Sequence, residues 1–269
     1  MLKIKARHEA NAVELGIGHM PLKLIAKIAL ITGGSAGIGL AVAKRFTAEG
    51  AYVFITGRRQ TELDRAVQQL GSDAAAIQCD TADLTDLDRL FAVIGRRKGR
   101  LDILVANAGG GAFVPLAAVT EEHFDQTFDT NVKGTLFTVQ KALSLFSDGG
   151  SIILIGSNTS AMGTPAFSVY SASKAAVRSF ARSWAVDLKD RGIRINTLSP
   201  GPTRTPGLNG LAGTAQQAEA MQAALMNQIP LGRLGDPDEI AAAALFLASG
   251  ESSFVTGIEM FVDGGMSQI

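Results

Sequence analysis

The stretch Lys27-Ile28-Ala29-Leu30-Ile31-Thr32-Gly33-Gly34-Ser35-Ala36-Gly37-Ile38-Gly39, running on into Leu40-Ala41-Val42-Ala43-Lys44-Arg45-Phe46, constrains this chain more than any other. Four apolar residues in a row read as a strand buried on both faces, the glycines as a tight turn, and the small and apolar residues after them as a helix start. Glycine lets a backbone approach a ligand with no Cβ in the way, and the free N–H groups opening a helix favour an anion such as a pyrophosphate. The loop is a candidate phosphate cradle, although an ordinary tight connection between strand and helix reads the same way.

The general dinucleotide fingerprint Gly-x-Gly-x-x-Gly/Ala fails here, because Val42 stands where Gly37 and Gly39 would need the third small residue. What fits is Thr-Gly-x-x-x-Gly-x-Gly over Thr32 to Gly39. That pattern resembles the nucleotide loop of the short-chain dehydrogenase/reductase family.

Composition removes several other classes. Lys plus Arg and Asp plus Glu number 25 each, so the net charge of zero gives no electrostatic case for nucleic acid or an anionic membrane. Cys79 is the only cysteine and no His/Cys cluster has metal-ligand spacing, so neither a disulfide scaffold nor a metal centre is expected, and a reducing, cytoplasmic setting fits. No apolar run is long enough to span a bilayer. No proline-rich, serine-rich or charged linker divides the chain, and residues 20–269 read as one domain. Residues 1–19 carry Lys3, Lys5, Arg7 and Glu14 with no uninterrupted apolar core; they read as a leader or an added extension outside the fold.

Taken in order, the chain alternates strand and helix. Ala51 to Thr56 is a second strand and Gln60 to Leu70 an amphipathic helix; Ala74 to Cys79 is a weak third strand before a helix from Leu84 to Arg97. Leu101 to Val105 is the fourth strand, a long helical region runs from Glu121 to Leu145, and Ser151 to Gly156 is the fifth strand. A helix then runs from Ser168 to about Arg191, followed by the strand Ile193 to Leu198 and, near the end, a last strand and turn within Thr256 to Gly265. Pro202 to Ile229, rich in Gly, Ala, Thr and Gln, reads as a mobile lid whose Leu208, Leu211, Met221 and Leu225 fit core packing better than substrate contact. Asp236-Pro237-Asp238-Glu239 carries the cap, proline and acid of a helix start. The alternation predicts a Rossmann-like, doubly wound, seven-stranded parallel α/β sheet with helices on both faces, its site at the carboxyl edge where strand order reverses.

Several polar residues stand at strand ends or in apolar patterns. After the second strand comes Gly57-Arg58-Arg59, with no Asp or Glu from position 50 to 61; an arginine there suits a ribose 2′-phosphate where an acid would hold a 2′-hydroxyl, although two arginines also suit a solvated turn. Asp80-Thr81 ends the third strand and reads as a turn cap more readily than as an adenine contact. Asn131 interrupts an apolar helical pattern, which places it at a kink or gives it a task. Tyr170 and Lys174 share a helix face thirteen residues after Ser157.

The resemblance to the short-chain dehydrogenase/reductase family extends over nearly all of Leu24 to Gly265, through Asn107-Ala108-Gly109, Asn131-Val132-Lys133-Gly134, Ser157, Tyr170-x-x-x-Lys174, Ser199-Pro200-Gly201-Pro202-Thr203 and the final strand. It implies Asn131, Ser157, Tyr170 and Lys174 as catalytic residues. It implies coenzyme contacts from Gly33, Ser35, Gly37, Ile38, Gly39, Arg58, Asp80, Asn107, Gly109, Tyr170, Lys174 and Thr203, with NADP(H) preferred, NAD(H) possible and no metal. The implied reaction is reversible hydride transfer between the nicotinamide and a ketone or secondary alcohol in a homo-oligomer, a tetramer. Tyr170 would be general acid and base, Ser157 would hold the oxygen, Lys174 would hold the nicotinamide ribose, and Asn131 would position a relay water. Lys174 about 4 Å from the phenol, at an effective dielectric of about 20, is expected to favour tyrosinate by roughly 4 kcal/mol and so lower the Tyr170 pKa. A non-catalytic dinucleotide sensor on the same fold is the rival reading.

Overall fold

The apolar run that opens the phosphate-loop candidate is strand β1 (Ile28–Ile31), buried along its whole length. Its neighbours are β2 (Tyr52–Gly57) and β4 (Leu101–Ala106), and the sheet continues outward through β3 (Ala74–Gln78), β5 (Phe146–Ile155), β6 (Arg194–Pro200) and β7 (Glu259–Val262). The strand order is β3-β2-β1-β4-β5-β6-β7, with every pair parallel. The computed structural model describes residues 22–269, so the expectation for residues 1–19 lies outside the described residues.

Period-two alternation in each strand sends side chains to two apolar layers. Ala29 and Ile31 join α1 (Gly37–Ala48), α2 (Gln60–Leu70) and α9 (Pro237–Ala248) through Val42, Phe46, Leu63 and Ile240. Ile28 and Leu30 join α3 (Leu84–Lys98), α5 (Gly134–Ala142) and α6 (Ser168–Asp187) through Leu87, Ile94, Val139 and Val177. Strand order reverses between β1 and β4, and such a switch point leaves a crevice at the carboxyl ends of the two strands.

The structure departs from the sequence expectations at four places. The helical region from Glu121 to Leu145 is three pieces: α4 (Glu121–Phe128), a π-helical turn (Asp129–Lys133) and α5, which stops at Ala142. Strand β5 begins at Phe146, five residues before the expected start; Leu101 pairs with Phe146 and Ile103 with Ser151, so the exposed Asp148 and Gly149 belong to a bulge in a continuing strand. α6 ends at Asp187, and Lys189–Arg191 is a separate tight turn closed by Gly192 at φ +59°. Residues 202–229 hold two helices, α7 (Pro206–Asn209) and α8 (Ala215–Met226), capped by the Thr205 and Thr214 hydroxyls. Leu208, Leu211, Met221 and Leu225 are half-buried and lie outside both apolar layers, so the expected core packing is not found; Ala218 is the buried residue of α8. Asp236 and Glu239 form the expected capping box at the start of α9.

Candidate active site

The loop after β1 is built for close approach. Gly33 and Gly37 have φ of +63° and +54°, and a Cβ on Gly39 would stand 2.3 Å from the Gly33 carbonyl oxygen. Asn107, at the end of β4, ties this loop to its neighbour: its Nδ2 donates to the carbonyls of Thr32 (2.9 Å) and Gly33 (3.1 Å) while its backbone N–H donates to Thr32 Oγ1 (2.9 Å). Both amide hydrogens of Asn107 are thus engaged in holding the two loops together.

A cavity of about 610 Å³ opens beside this crossing, lined by Gly33, Ser35, Arg58, Arg59, Asp80 and Gly109 among others. Arg58 and Arg59 are exposed at its rim, and among the described residues neither forms an ion pair. The Asp80 carboxylate accepts from Ala82 N–H at 3.0 Å, which makes it a turn cap that also faces the cavity. The cap of α3 is Asp83, which accepts from the N–H groups of Thr85 and Asp86.

Asn131, Tyr170 and Lys174 converge on the adjoining segment Gly109-Gly110-Gly111, and Ser157 meets Tyr170. Asn131 sits in the π-helical turn at 0% exposure. Its Oδ1 accepts from Gly110 N–H (3.0 Å), and its Nδ2 donates to the Gly110 carbonyl (2.9 Å) and to Ser173 Oγ (2.9 Å). Kink and task are therefore one feature: the widened turn aims the amide at the Gly110 peptide. A side chain on Gly109 would put its Cβ 3.0 Å from Asn131 Oδ1 and 3.2 Å from Lys174 Nζ, so the ammonium and the amide share that corner.

Ser157 ends β5 and caps the single turn Asn158–Ser160. Its hydroxyl oxygen accepts from Thr159 N–H (3.3 Å) and Thr159 Oγ1 (3.0 Å), which leaves its own proton free to donate. The turn is braced from behind, because Ser160 Oγ lies 2.7 Å from the Ser157 carbonyl and 3.0 Å from Glu259 Oε1. Glu259 also accepts from Ser199 Oγ at 2.6 Å and pairs with Arg178 at 3.2 Å.

Tyr170 and Lys174 project from the first turns of α6. The Lys174 side chain is 4% exposed, its Nζ donates to the Ile155 carbonyl at 2.8 Å and lies 5.7 Å from the Tyr170 ring centroid. Burial with a single acceptor pushes the ammonium down from 10.5 to about 8. Burial pushes the Tyr170 hydroxyl above its ordinary value, with the Ser157 hydroxyl pulling against it. The expected lowering of the Tyr170 pKa by Lys174 is therefore corrected: in this corner burial raises the phenol against the pull of Ser157 and lowers the ammonium, shifting each group toward its neutral form.

A chain with a glycine-turned crevice, a buried Lys174 beside a half-buried Tyr170 and a serine at the end of the preceding strand invites comparison with known proteins. Residues 33–267 match the family described as enoyl-(acyl carrier protein) reductase. The chain is 51% identical to the oxidoreductase asL5 of Sarocladium schorii over 249 residues, covering 92% of this chain and 98% of that protein. The chain belongs to the short-chain dehydrogenase/reductase family. It is also 37% identical to versicolorin reductase 1 of Aspergillus parasiticus, over 90% of this chain and 97% of that one. A short-chain dehydrogenase/reductase crystal structure from Mycobacterium marinum superposes with a TM-score of 0.86 at 33% identity, covering 91% of this chain and 97% of the other. The protein is accordingly an oxidoreductase of this family, whose members in general bind NAD(P). Among the described residues no helix is long and apolar enough to cross a membrane and no group of His, Cys, Asp or Glu could hold a metal.

Thr203 stands apart from the rest of the short-chain dehydrogenase/reductase set. It is buried, its hydroxyl donates to the Gly201 carbonyl at 2.9 Å, and it does not line the cavity. Residues that sequence reasoning did not single out include Thr159, Ser160 and Glu259, which brace Ser157, and Gln126 on α4 and Asp129 in the π-helical turn, which line the cavity. A serine or threonine two or three residues past a strand end carries no distinguishing signal, and Glu259, opening the half-buried last strand, is told apart only by its partners.

Proposed function

We propose that this protein is an NADP(H)-dependent oxidoreductase that interconverts a ketone and a secondary alcohol, with Tyr170 as general acid and base. What supports the reading is the meeting of Ser157, Tyr170 and Lys174 beside Gly109, at the mouth of a crevice whose glycine loop would not admit a Cβ at position 39. The cavity volume falls within the ~300 to 1,000 Å³ of small-molecule and cofactor sites. The residues fit a dinucleotide: Gly33, Ser35, Gly37, Ile38 and Gly39 would hold the pyrophosphate, Asp80 the adenine side, and Arg58 a 2′-phosphate through a bidentate guanidinium. Asn107 and Gly109 would shape the crevice wall, Lys174 and Tyr170 would meet the nicotinamide ribose, and Thr203 would contribute through the backbone its hydroxyl stiffens.

Held by these residues, a reduced nicotinamide would supply the hydride to the carbonyl carbon. Negative charge then grows on the carbonyl oxygen, and the Tyr170 hydroxyl transfers its proton there. Ser157, whose oxygen already accepts from Thr159, turns its proton to the same oxygen and holds it. The Lys174 ammonium stabilises the tyrosinate as it forms. Asn131 keeps the Gly109 to Gly111 wall in place by gripping the Gly110 peptide from both sides, and a relay water beside it would return the proton to Tyr170.

The test is oxidation of NADPH by a panel of small ketones, repeated with Tyr170→Phe, which keeps the ring and deletes the proton. Turnover should fall by about 10² to 10⁴ with coenzyme affinity little changed. Near-normal turnover by folded Tyr170→Phe would overturn the mechanism, and a parent enzyme that binds NADPH but reduces nothing would favour the sensor reading.

A further inference from the structure

Next to Tyr170 the structure holds a ladder of rings. Tyr170 packs on Phe167 with centroids 4.4 Å apart and a 31° tilt, and Phe167 packs on Phe113 at 4.5 Å and 33°. Phe167 is buried between the two, whereas Phe113 is 40% exposed. The backbone fixes this arrangement. Val114 N–H donates to the Ala166 carbonyl at 2.7 Å, joining the loop after β4 to the loop before α6. Gly111 lies so close to Tyr170 that a Cβ there would stand 2.5 Å from its Cδ2. Ala166 holds φ at +57°, a conformation that a non-glycine residue adopts at a cost, and Phe167 follows it directly.

The charge distribution around the ladder is as informative. From Asn107 to Thr120 and from Ser157 to Ser173 there is no charged residue, and between Arg204 and Arg233 the only one is Glu219. These three segments are the loop after β4, the loop and helix start after β5, and the helical cover after β6. They flank the carboxyl edge on the side of Ser157 and Tyr170. The arginines at the rim of the 610 Å³ cavity belong to the opposite side, after β2. A substrate phosphorylated next to its reacting carbonyl calls for Lys or Arg there, and a carboxylated one calls for one cation. These segments offer neither. They offer a planar ring with an open face, and in the same loop Leu116 at 81% exposure.

From this we infer, resting on the ketone-reductase reading above, that the substrate is an uncharged fused-ring aromatic ketone whose ring system stacks on Phe113. Phe113 is then a specificity-determining residue. An offset-stacked pair is preferred by aromatic quadrupoles over contact with a saturated ring of the same outline, so the ladder distinguishes flat aromatic bodies from puckered ones. Phe167 transmits the position of Phe113 to Tyr170, which keeps the shelf and the proton donor in register.

The experiment pairs ligands of equal outline. Binding of 2-naphthol, which has no ketone to reduce, and of decahydro-2-naphthol is measured by calorimetry on the full-length protein with NADP⁺ present. Reduction of 2-tetralone and of 2-decalone with NADPH is measured alongside. The inference expects 2-naphthol to bind at least tenfold tighter than its saturated counterpart, and 2-tetralone to exceed 2-decalone in kcat/KM. Phe113→Ala should weaken 2-naphthol by about tenfold, the loss of one stacked pair and its buried area. Phe113→Leu keeps apolar volume without a ring and should lose most of the aromatic preference, which covers the case in which the alanine variant fails to fold. Equal binding of the two alcohols, or an unchanged preference in a folded Phe113→Leu protein, overturns the inference. So does a better kcat/KM for a ketoacyl coenzyme A thioester than for 2-tetralone. Naphthol binding that depends on Phe113 with no ketone reduced keeps the shelf and sinks the reductase reading. Reduction of aliphatic ketones without naphthol binding does the reverse.

Discussion

Replacing Lys174 by methionine makes a stability prediction whose sign changes with pH. The buried ammonium falls from 10.5 to about 8, which at about 1.36 kcal/mol per pH unit corresponds to about 3 kcal/mol of folding free energy. Below pH 8 both folded and unfolded chains hold the proton, and the full cost of burying the charge is present. Between pH 8 and 10.5 the unfolded chain holds it and the folded protein does not, so parent stability rises with pH across that window. Methionine removes this term but leaves the Ile155 carbonyl without the donor that Lys174 supplies at 2.8 Å, a loss of about 1 to 3 kcal/mol at any pH. At pH 7 Lys174→Met should therefore equal the parent or exceed it by up to about 2 kcal/mol, and at pH 10, where about 1 kcal/mol of the burial cost remains, it should equal the parent or fall below it by up to about 2 kcal/mol. Urea unfolding without coenzyme at the two pH values measures both numbers, and other titrating groups cancel in the difference. A stability difference of the same size at pH 7 and pH 10 would refute the burial argument. Activity should be lost at both.

Two further expectations address the coenzyme and the assembly. Arg58→Ala removes a charge-assisted contact worth about 1.5 to 3 kcal/mol, so the KM for NADPH should rise tenfold or more while that for NADH stays nearly constant; equal efficiency of the parent with both coenzymes would remove the basis for the assignment. Phe124 on α4 and Val186 on α6 are exposed apolar side chains, and the tetramer that we propose predicts a light-scattering mass about four times the chain's 28.1 kDa; a value near one chain mass at micromolar concentration would contradict it.

The sheet was legible because its central strands β1, β2 and β4 are nearly uninterrupted apolar runs, as burial between two helical layers requires. The first half of β5 was not, since Ser147-Asp148-Gly149-Gly150 has turn composition and joins the sheet through its bulge. The break at Asn131 left a trace that periodicity alone hides. Phe124, Phe128, Val132 and Leu136 are spaced by four, which on an α-helix drifts about 40° per step, and a wider π-helical turn absorbs that drift. Of the site, the Tyr/Lys spacing and the serine at a strand end were readable. The brace from Glu259 was not, because it joins the last strand to the turn after β5 across 99 residues of sequence.

The electrostatics of Tyr170 show where spacing stops being informative. Four residues on a helix place Lys174 near the phenol, but whether proximity lowers the phenol's pKa depends on what surrounds both groups. The Lys174 ammonium is fully enclosed, with one carbonyl as partner, and it loses hydration that the neutral phenol beside it does not replace. Burial of the phenol is what raises its pKa, and the Ser157 hydroxyl is the group that works against it. In the proposed mechanism this is an advantage for reduction. A resting Tyr170 kept protonated by burial is ready to donate, and a Lys174 titrating at about 8 still carries its charge at neutral pH. That charge favours the state in which the proton has left over the state in which it has not, and an interaction stronger in the transition state than in the ground state is the kind that raises rate.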